Sequence, residues 1–280
     1  MLIRDALAKA RVCGVERLDA QRLLQHLLQQ PRAWLMAHDD FHLAPAQAAA
    51  WQQQLQRRAQ GEPLAYVLGE QEFCGLTLQV SPTVLIPRPE TELLVDWALQ
   101  CLPQAAHPTT NAAPQVLDLG TGSGAIALAV KHRCPSAQVC ATDLSPAALE
   151  VARINAQRLG LALDFAQGRW WAAVPGRAFD LVLANPPYMA AADPHLLALP
   201  HEPLHALSPG GDGLADLKII VAGACAPLRA GAWLLLEHGH EQAAAVQQML
   251  AESGAFRDIQ TRLDLAGLAR CTGARRTAGA

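Results

Sequence analysis

No apolar run in this chain approaches the ~20 residues that a bilayer-spanning helix needs. Hydrophobic residues still make up 51% of the 280, so they lie in short runs that together suffice for a sizeable core. The start, Met1-Leu2-Ile3-Arg4-Asp5, carries an acid early and lacks the apolar centre of a signal peptide. A cytoplasmic protein with no membrane partner is expected. A basic surplus is also missing: the net charge is −3 and the pI is near 6.3. Arg57-Arg58 and Arg275-Arg276 are isolated pairs, whereas a duplex nucleic-acid binder usually carries a basic stripe. The seven cysteines are odd in number and contain no Cys-x-x-Cys pair. That argues against a zinc site or a disulfide framework and for buried or idle thiols in a reducing compartment. The ten histidines, His238 and His240 included, show no metal-ligand spacing, so no metal is expected.

The first 62 residues lack β-branched enrichment and read as four or five helices. Asp19 is a candidate cap for a helix with Leu23, Leu24, Leu27 and Leu28 on one face. Pro31 starts a short segment with Trp34 and Leu35, and Pro45 starts another that runs through Trp51 and Leu55 to Gly61. Both tryptophans suit core or interface anchors. Tyr66–Gly69 and Phe73–Val80 read as the two strands of a hairpin within a linker over 63–89. Pro87 and Pro89 stiffen the passage into an amphipathic helix at about residue 90. Residues 103–114, rich in Pro, Ala, Thr and Asn, read as a loop.

From residue 115 the pattern changes. Strands are expected at 116–119, 138–142, 179–184 and 233–237. Helices are expected at 125–132, 145–159, 214–228 and 241–253. Such alternation argues for an α/β domain over 90–280, a parallel sheet with helices on both faces. Its first strand leads into Asp118-Leu119-Gly120-Thr121-Gly122-Ser123-Gly124. Alternate glycines let backbone approach a ligand closely, and the helix N-terminus that follows attracts anionic groups. Asp143 closes the second strand, where an acid binds ribose hydroxyls in nucleotide-binding sheets. Its alternative is an N-cap near Ser145-Pro146. Gly120, Gly122 and Ala125 also satisfy the dinucleotide fingerprint. The loop alone therefore leaves a nicotinamide dinucleotide and S-adenosylmethionine both open.

Asn185-Pro186-Pro187-Tyr188, at the end of a strand, separates them. Two adjacent prolines donate no backbone hydrogen bonds and hold the chain stiff. They present the Asn185 side-chain oxygen and the Pro186 carbonyl side by side, with an aromatic ring beside them. Two acceptors facing one way suit a planar NH2 group. Hydride transfer has no use for that arrangement, whereas methyl transfer to nitrogen does.

The loop 118–124, the turn 185–188 and Ile86-Pro87-Arg88-Pro89-Glu90-Thr91-Glu92 resemble the protein-(glutamine-N5) methyltransferases that modify peptide chain release factors. Gly61–Tyr66, Gly69-Glu70, Phe73–Gly75, Glu202-Pro203, Ala206-Leu207, Gly210–Leu214, Glu237–Gly239 and Asp264–Gly267 continue the resemblance over nearly the whole chain. It implies a class I, Rossmann-like sheet of seven strands with the last one reversed, preceded by a helical bundle. It implies S-adenosylmethionine as cofactor, held by Gly120, Thr121, Gly122, Ser123, Gly124 and Asp143, with Trp170 flanking the adenine and Asn185 near the methionine portion. Asn185, Pro186, Pro187 and Tyr188 would hold the glutamine of a Gly-Gly-Gln loop, Asn185, Pro186 and Tyr188 acting in catalysis. Class 1 release factors are the implied partners, with residues 1–62 docking them and no direct nucleic-acid partner. Glu90 and Glu92 are candidates for the cofactor pocket or for a helix's first turn. Glu237 is as readily structural. Arg169 stands where the family usually has an acid, next to Trp170-Trp171, and Cys271 where a β-branched residue is more usual. The alternative is an adenine-N6 or guanine-N2 nucleic-acid methyltransferase, which uses a similar turn.

Overall fold

Five helices form before residue 69: α1 (Ile3–Val12), α2 (Arg17–Leu28), α3 (Arg32–Ala37), α4 (Pro45–Ala59) and α5 (Leu64–Leu68). In this computed structural model residues 1–105 and 113–278 are described. Contacts divide them into two units, Met1–Gln71 and Glu72–Ala280. In the first unit Ile3, Leu23, Leu24 and Leu35 close around the fully buried Trp51. Asp19 does not cap α2, whose N-cap is Glu16; it accepts from Arg58 Nε of α4 at 2.7 Å. The expected strand over 66–69 is helical. Pro63 sets the φ of the helix entry, Ala65, Tyr66 and Val67 are buried, and Gly69 closes α5 in the left-handed region. The hairpin lies just beyond: β1 (Glu70–Phe73) and β2 (Leu76–Gln79) turn at Cys74-Gly75.

The second unit continues with a 3₁₀ turn, Pro89–Thr91, into α6 (Glu92–Ala105). Residues 103–105 are thus helix, and most of the loop expected over 103–114 lies outside the described residues. Then follow β3 (Gln115–Leu119), α7 (Ala125–Arg133), β4 (Gln138–Asp143), α8 (Pro146–Leu159), β5 (Asp164–Gln167), β6 (Phe179–Ala184), α9 (Leu204–Leu207) and α10 (Ala215–Gly223). Last come β7 (Leu228–Glu237), α11 (Ala243–Glu252), β8 (Phe256–Leu263) and β9 (Ala269–Arg276). The helix expected over 214–228 is shorter, and Leu228 already belongs to β7. An unbroken apolar run does not reveal by periodicity where helix ends and strand begins. Residue patterns had also not placed β5, β8 and β9.

The seven strands run in the order β5-β4-β3-β6-β7-β9-β8, with β9 antiparallel to both neighbours. This is the sheet that the resemblance implies. Central strands are buried on both faces: Leu181 and Leu183 join the α6 and α7 layer, and Phe179 and Val182 the α10 and α11 layer. α7 is apolar all round and is accordingly buried from Ala125 to Val130. Chain direction reverses its progress across the sheet between β3 and β6, and ligands bind at such switch points.

Gly273 in β9 lies where a Cβ would come within 2.5 Å of Leu235 Cδ2 and 2.8 Å of the Trp97 ring. Gly273→Ala is therefore expected to cost about 1–3 kcal/mol of stability by overpacking, read as a lower urea midpoint at unchanged slope.

Candidate active site

Strand register assembles the site. Leu119 pairs with both Thr142 and Ala184, and Ala184 pairs with Leu236. The next residue on each strand therefore lies at one edge: Gly120, Asp143, Asn185 and Glu237. The glycine loop is held from beneath. Gly120 N–H and Thr121 N–H both donate to Thr142 O, at 2.9 and 2.8 Å. Asp143 accepts from Gly122 N–H at 3.0 Å and Ser145 N–H at 2.8 Å. The N-cap of α8 is Ser145, so Asp143 is not the cap. Its carboxylate keeps lone pairs for further donors and lines a cavity of about 280 Å³, the scale of a small-molecule site.

Gly120, Thr121, Gly122, Ser123, Trp170, Asn185 and Pro187 line the same cavity; Gly124 lies behind it, as the N-cap of α7. Trp170 has φ +49°, and its indole N–H donates to the buried Asp216 Oδ1 at 3.0 Å. Its ring lies over Gly120, where a Cβ would come within 3.2 Å. Arg169 also donates to Asp216 Oδ1, at 3.1 Å, so the cation that stands where the resemblance implies an acid is paired. Trp171 points elsewhere, donating to Ile220 O at 3.0 Å.

Asn185 also borders a second cavity, of about 750 Å³, with Pro186, Tyr188, Met189 and Arg270. The turn thus stands between two spaces. Its far end is held by a side chain: Gln242 Nε2 donates to Tyr188 O at 2.9 Å. A Cβ at Gly213 would meet that carbonyl at 2.2 Å, so only glycine fits there. The buried Glu202 accepts from Ile86 N–H at 3.1 Å and from Arg88, fixing the proline passage beside both cavities.

Sequence reasoning missed Thr91, Asp216 and Gln242. Thr91 lies inside the quoted Ile86–Glu92 motif and lines the first cavity; no local signal marks Asp216 or Gln242. Glu90 is exposed, and Glu92 accepts from Cys74 N–H at 2.8 Å, which ties α6 to the hairpin. Neither lines a cavity described above. Among the described residues no cluster of His, Cys, Asp or Glu could hold a metal ion, and no helix is long and apolar enough to cross a membrane.

Asp118 accepts from Thr121 Oγ1 at 2.6 Å beneath the loop, and burial pushes its carboxyl up to about 7. An unfolded Asp titrates near ~3.9, so between the two values the folded state binds the extra proton. Stability is then lost as pH rises from about 4 to about 7. Asp118→Asn should flatten part of that fall, measured by urea unfolding at about pH 5 and about pH 8. An unchanged pH dependence would refute it.

The description "PrmC N-terminal domain" matches residues 2–69, and "Methyltransferase small domain" matches residues 93–213. The release factor glutamine methyltransferase of Bordetella pertussis is 48% identical over 275 residues, covering 97% of this chain and 98% of that one. The enzyme of that name from Xylella fastidiosa (strain Temecula1) is 47% identical over 276 residues, covering 96% and 98%. Among solved structures, the T. thermophilus 16S rRNA N2 G1207 methyltransferase in complex with AdoMet and guanosine superposes with TM-score 0.52 at 21% identity. That match covers 74% of this chain and 49% of the other, and it shows the methyltransferase fold. With relatives at this identity over nearly their full length, the chain belongs to the release factor glutamine methyltransferase family.

Proposed function

We propose that the protein transfers a methyl group from S-adenosylmethionine to the side-chain amide nitrogen of the glutamine in the Gly-Gly-Gln loop of class 1 release factors. The observation that carries this reading is Asn185-Pro186-Pro187-Tyr188 standing between two cavities, one of them edged by the glycine loop and Asp143. The first cavity fits the cofactor. Asp143 has acceptor capacity left for ribose hydroxyls, the Trp170 ring offers a flat face, and the N-terminal end of α7 suits a carboxylate. When bound, S-adenosylmethionine supplies an electrophilic methyl group on a good leaving group.

The residues of the turn do the rest. An amide nitrogen is a weak nucleophile because its lone pair is delocalised into the carbonyl. Asn185 Oδ1 and the Pro186 carbonyl accept from the substrate NH2 and fix its direction. Both bonds strengthen as the nitrogen gains positive charge and its hydrogens become more acidic. Tyr188 covers the amide and keeps water away. Burial first, then the neighbouring Glu237, pushes the Tyr188 phenol above its ordinary range, so it stays neutral and is no base; the methylated nitrogen, acidic once cationic, sheds its proton to solvent after the methyl has moved. Positioning of this kind contributes up to ~7–11 kcal/mol in favourable cases. A release factor substrate implies work in the cytoplasm.

A single glutamine side chain offers little surface for recognition. The first unit, with Leu18, Met36 and Phe41 exposed, is suited to dock the rest of the factor.

Asn185→Ala should lower kcat by about 100-fold or more, with a modest change in cofactor affinity by calorimetry. The assay offers labelled cofactor with release factor, a factor lacking the Gly-Gly-Gln glutamine, and nucleic acid. Labelling of nucleic acid alone would overturn the reading. Met36→Ser with Phe41→Ser should raise KM for the whole factor and leave that for a short Gly-Gly-Gln peptide alone. Equal effects on both would count against docking.

A further inference from the structure

Asparagine has nearly the same shape after its amide is turned by 180°, which exchanges an acceptor for a donor. In the reading proposed above, only one orientation works. A turned Asn185 would aim NH2 hydrogens at the substrate's own NH2 hydrogens. Pro186 and Pro187 fix the backbone but have no means of choosing between the two. Something else in the site must.

The side chains around Asn185 make that choice. Its Nδ2 donates to Thr91 Oγ1 at 3.2 Å. The Thr91 hydroxyl in turn acts as a donor toward Glu237, at the end of β7, and favours its ionised form. Tyr188 Oη donates to Glu237 Oε1 at 3.4 Å. Both functional side chains of the turn therefore converge, one directly and one through Thr91, on a single carboxylate. An ionised carboxylate accepts only. A Thr91 hydroxyl that turns its one hydrogen toward that charge is left with lone pairs toward Asn185. Those lone pairs require the Asn185 NH2 to face them, which leaves Oδ1 for the substrate.

We propose that Thr91 and Glu237 are positioning residues that set the orientation of the Asn185 amide and anchor the Tyr188 ring, and so select a substrate that brings an NH2 group. The placement of Glu237 supports this. It is 1% exposed, Ala184–Leu236 register makes it the neighbour of Asn185, and its Oε2 has no hydrogen-bond partner. Burying a carboxylate with one oxygen unpaired is costly. Packing alone would favour an apolar residue there.

The device also responds to pH. Burial pushes Glu237 up to about 7, against the lowering effects of Thr91, Arg270 and Tyr188, while the charge of Glu90 adds to the rise. Cys271, its partner across β9, stays a neutral thiol because burial and Glu237 push it up. Arg88, which acts on Tyr188, is paired with Glu202. Once protonated, Glu237 no longer requires both neighbours to donate, and the Asn185 orientation loses its constraint. Turnover should therefore fall as pH drops through about 7.

Three variants and a spectrum test this. Thr91→Val should lower kcat about tenfold or more, the loss of one oriented hydrogen bond. Thr91→Ser, which keeps the hydroxyl, should recover most of the loss. Glu237→Gln should remove the acid limb of the kcat profile near pH about 7. The chain has three asparagines, Asn111, Asn155 and Asn185, so asparagine-selective nitrogen labelling gives a simple side-chain amide spectrum of the full chain. The Asn185 signals, assigned by their loss in Asn185→Ala, should shift in Thr91→Val and stay in Thr91→Ser. Wild-type kcat in Thr91→Val, equal damage in Thr91→Ser and Thr91→Val, or unmoved Asn185 signals would overturn the proposal. The spectrum needs no substrate, so its outcome is separate from whether release factor is the substrate.

Discussion

The parallel register of β3, β4, β6 and β7 is the constraint on which the rest depends. Because Leu119, Thr142, Ala184 and Leu236 lie side by side, four chain segments leave the sheet together. The backbone that follows then has a limited choice. Gly120 and Gly122 fold down onto Thr142 O and Asp143, and the prolines of the turn carry Asn185 and Tyr188 outward. A slip of one residue in any of these pairings would turn every side chain of that strand to its other face. Central strands buried on both sides by α6, α7, α10 and α11 make such a slip expensive.

Much of this was legible in the sequence, and what was not has a common cause. The glycine loop and the Asn-Pro-Pro-Tyr turn could be read because their chemistry is local: conformation and function sit in the same few residues. Asp143 could be read because it ends a strand at a fixed distance from the loop. Thr91, Asp216 and the role of Glu237 could not. Each acquires meaning from a partner 46 to 94 positions away, and sequence patterns carry no register between distant strands. The strands β8 and β9 escaped for a related reason. Phe256–Leu263 is mostly polar and half exposed, and Ala269–Arg276 is rich in small and basic residues, so neither alternates cleanly. The resemblance supplied the count of seven that periodicity did not.

Arg169 shows how one departure is absorbed. A free cation, where the resemblance implies an acid, would disfavour the positively charged donor proposed for this pocket. Here it shares the oxygen of Asp216 that also holds the Trp170 indole. The pair leaves little net charge beside the ring, and the tryptophan is held in its left-handed backbone conformation.

The site edge also carries a cost for the fold. Asp118 and Glu237 are fully buried acids, each with one oxygen that nothing satisfies. Both sit at the ends of central strands, where an apolar or amide side chain would fold more favourably. Selection for heat resistance alone should thus find its easiest gains at these two positions and erode activity on the way. For anyone stabilising this enzyme, they are the first positions to hold constant.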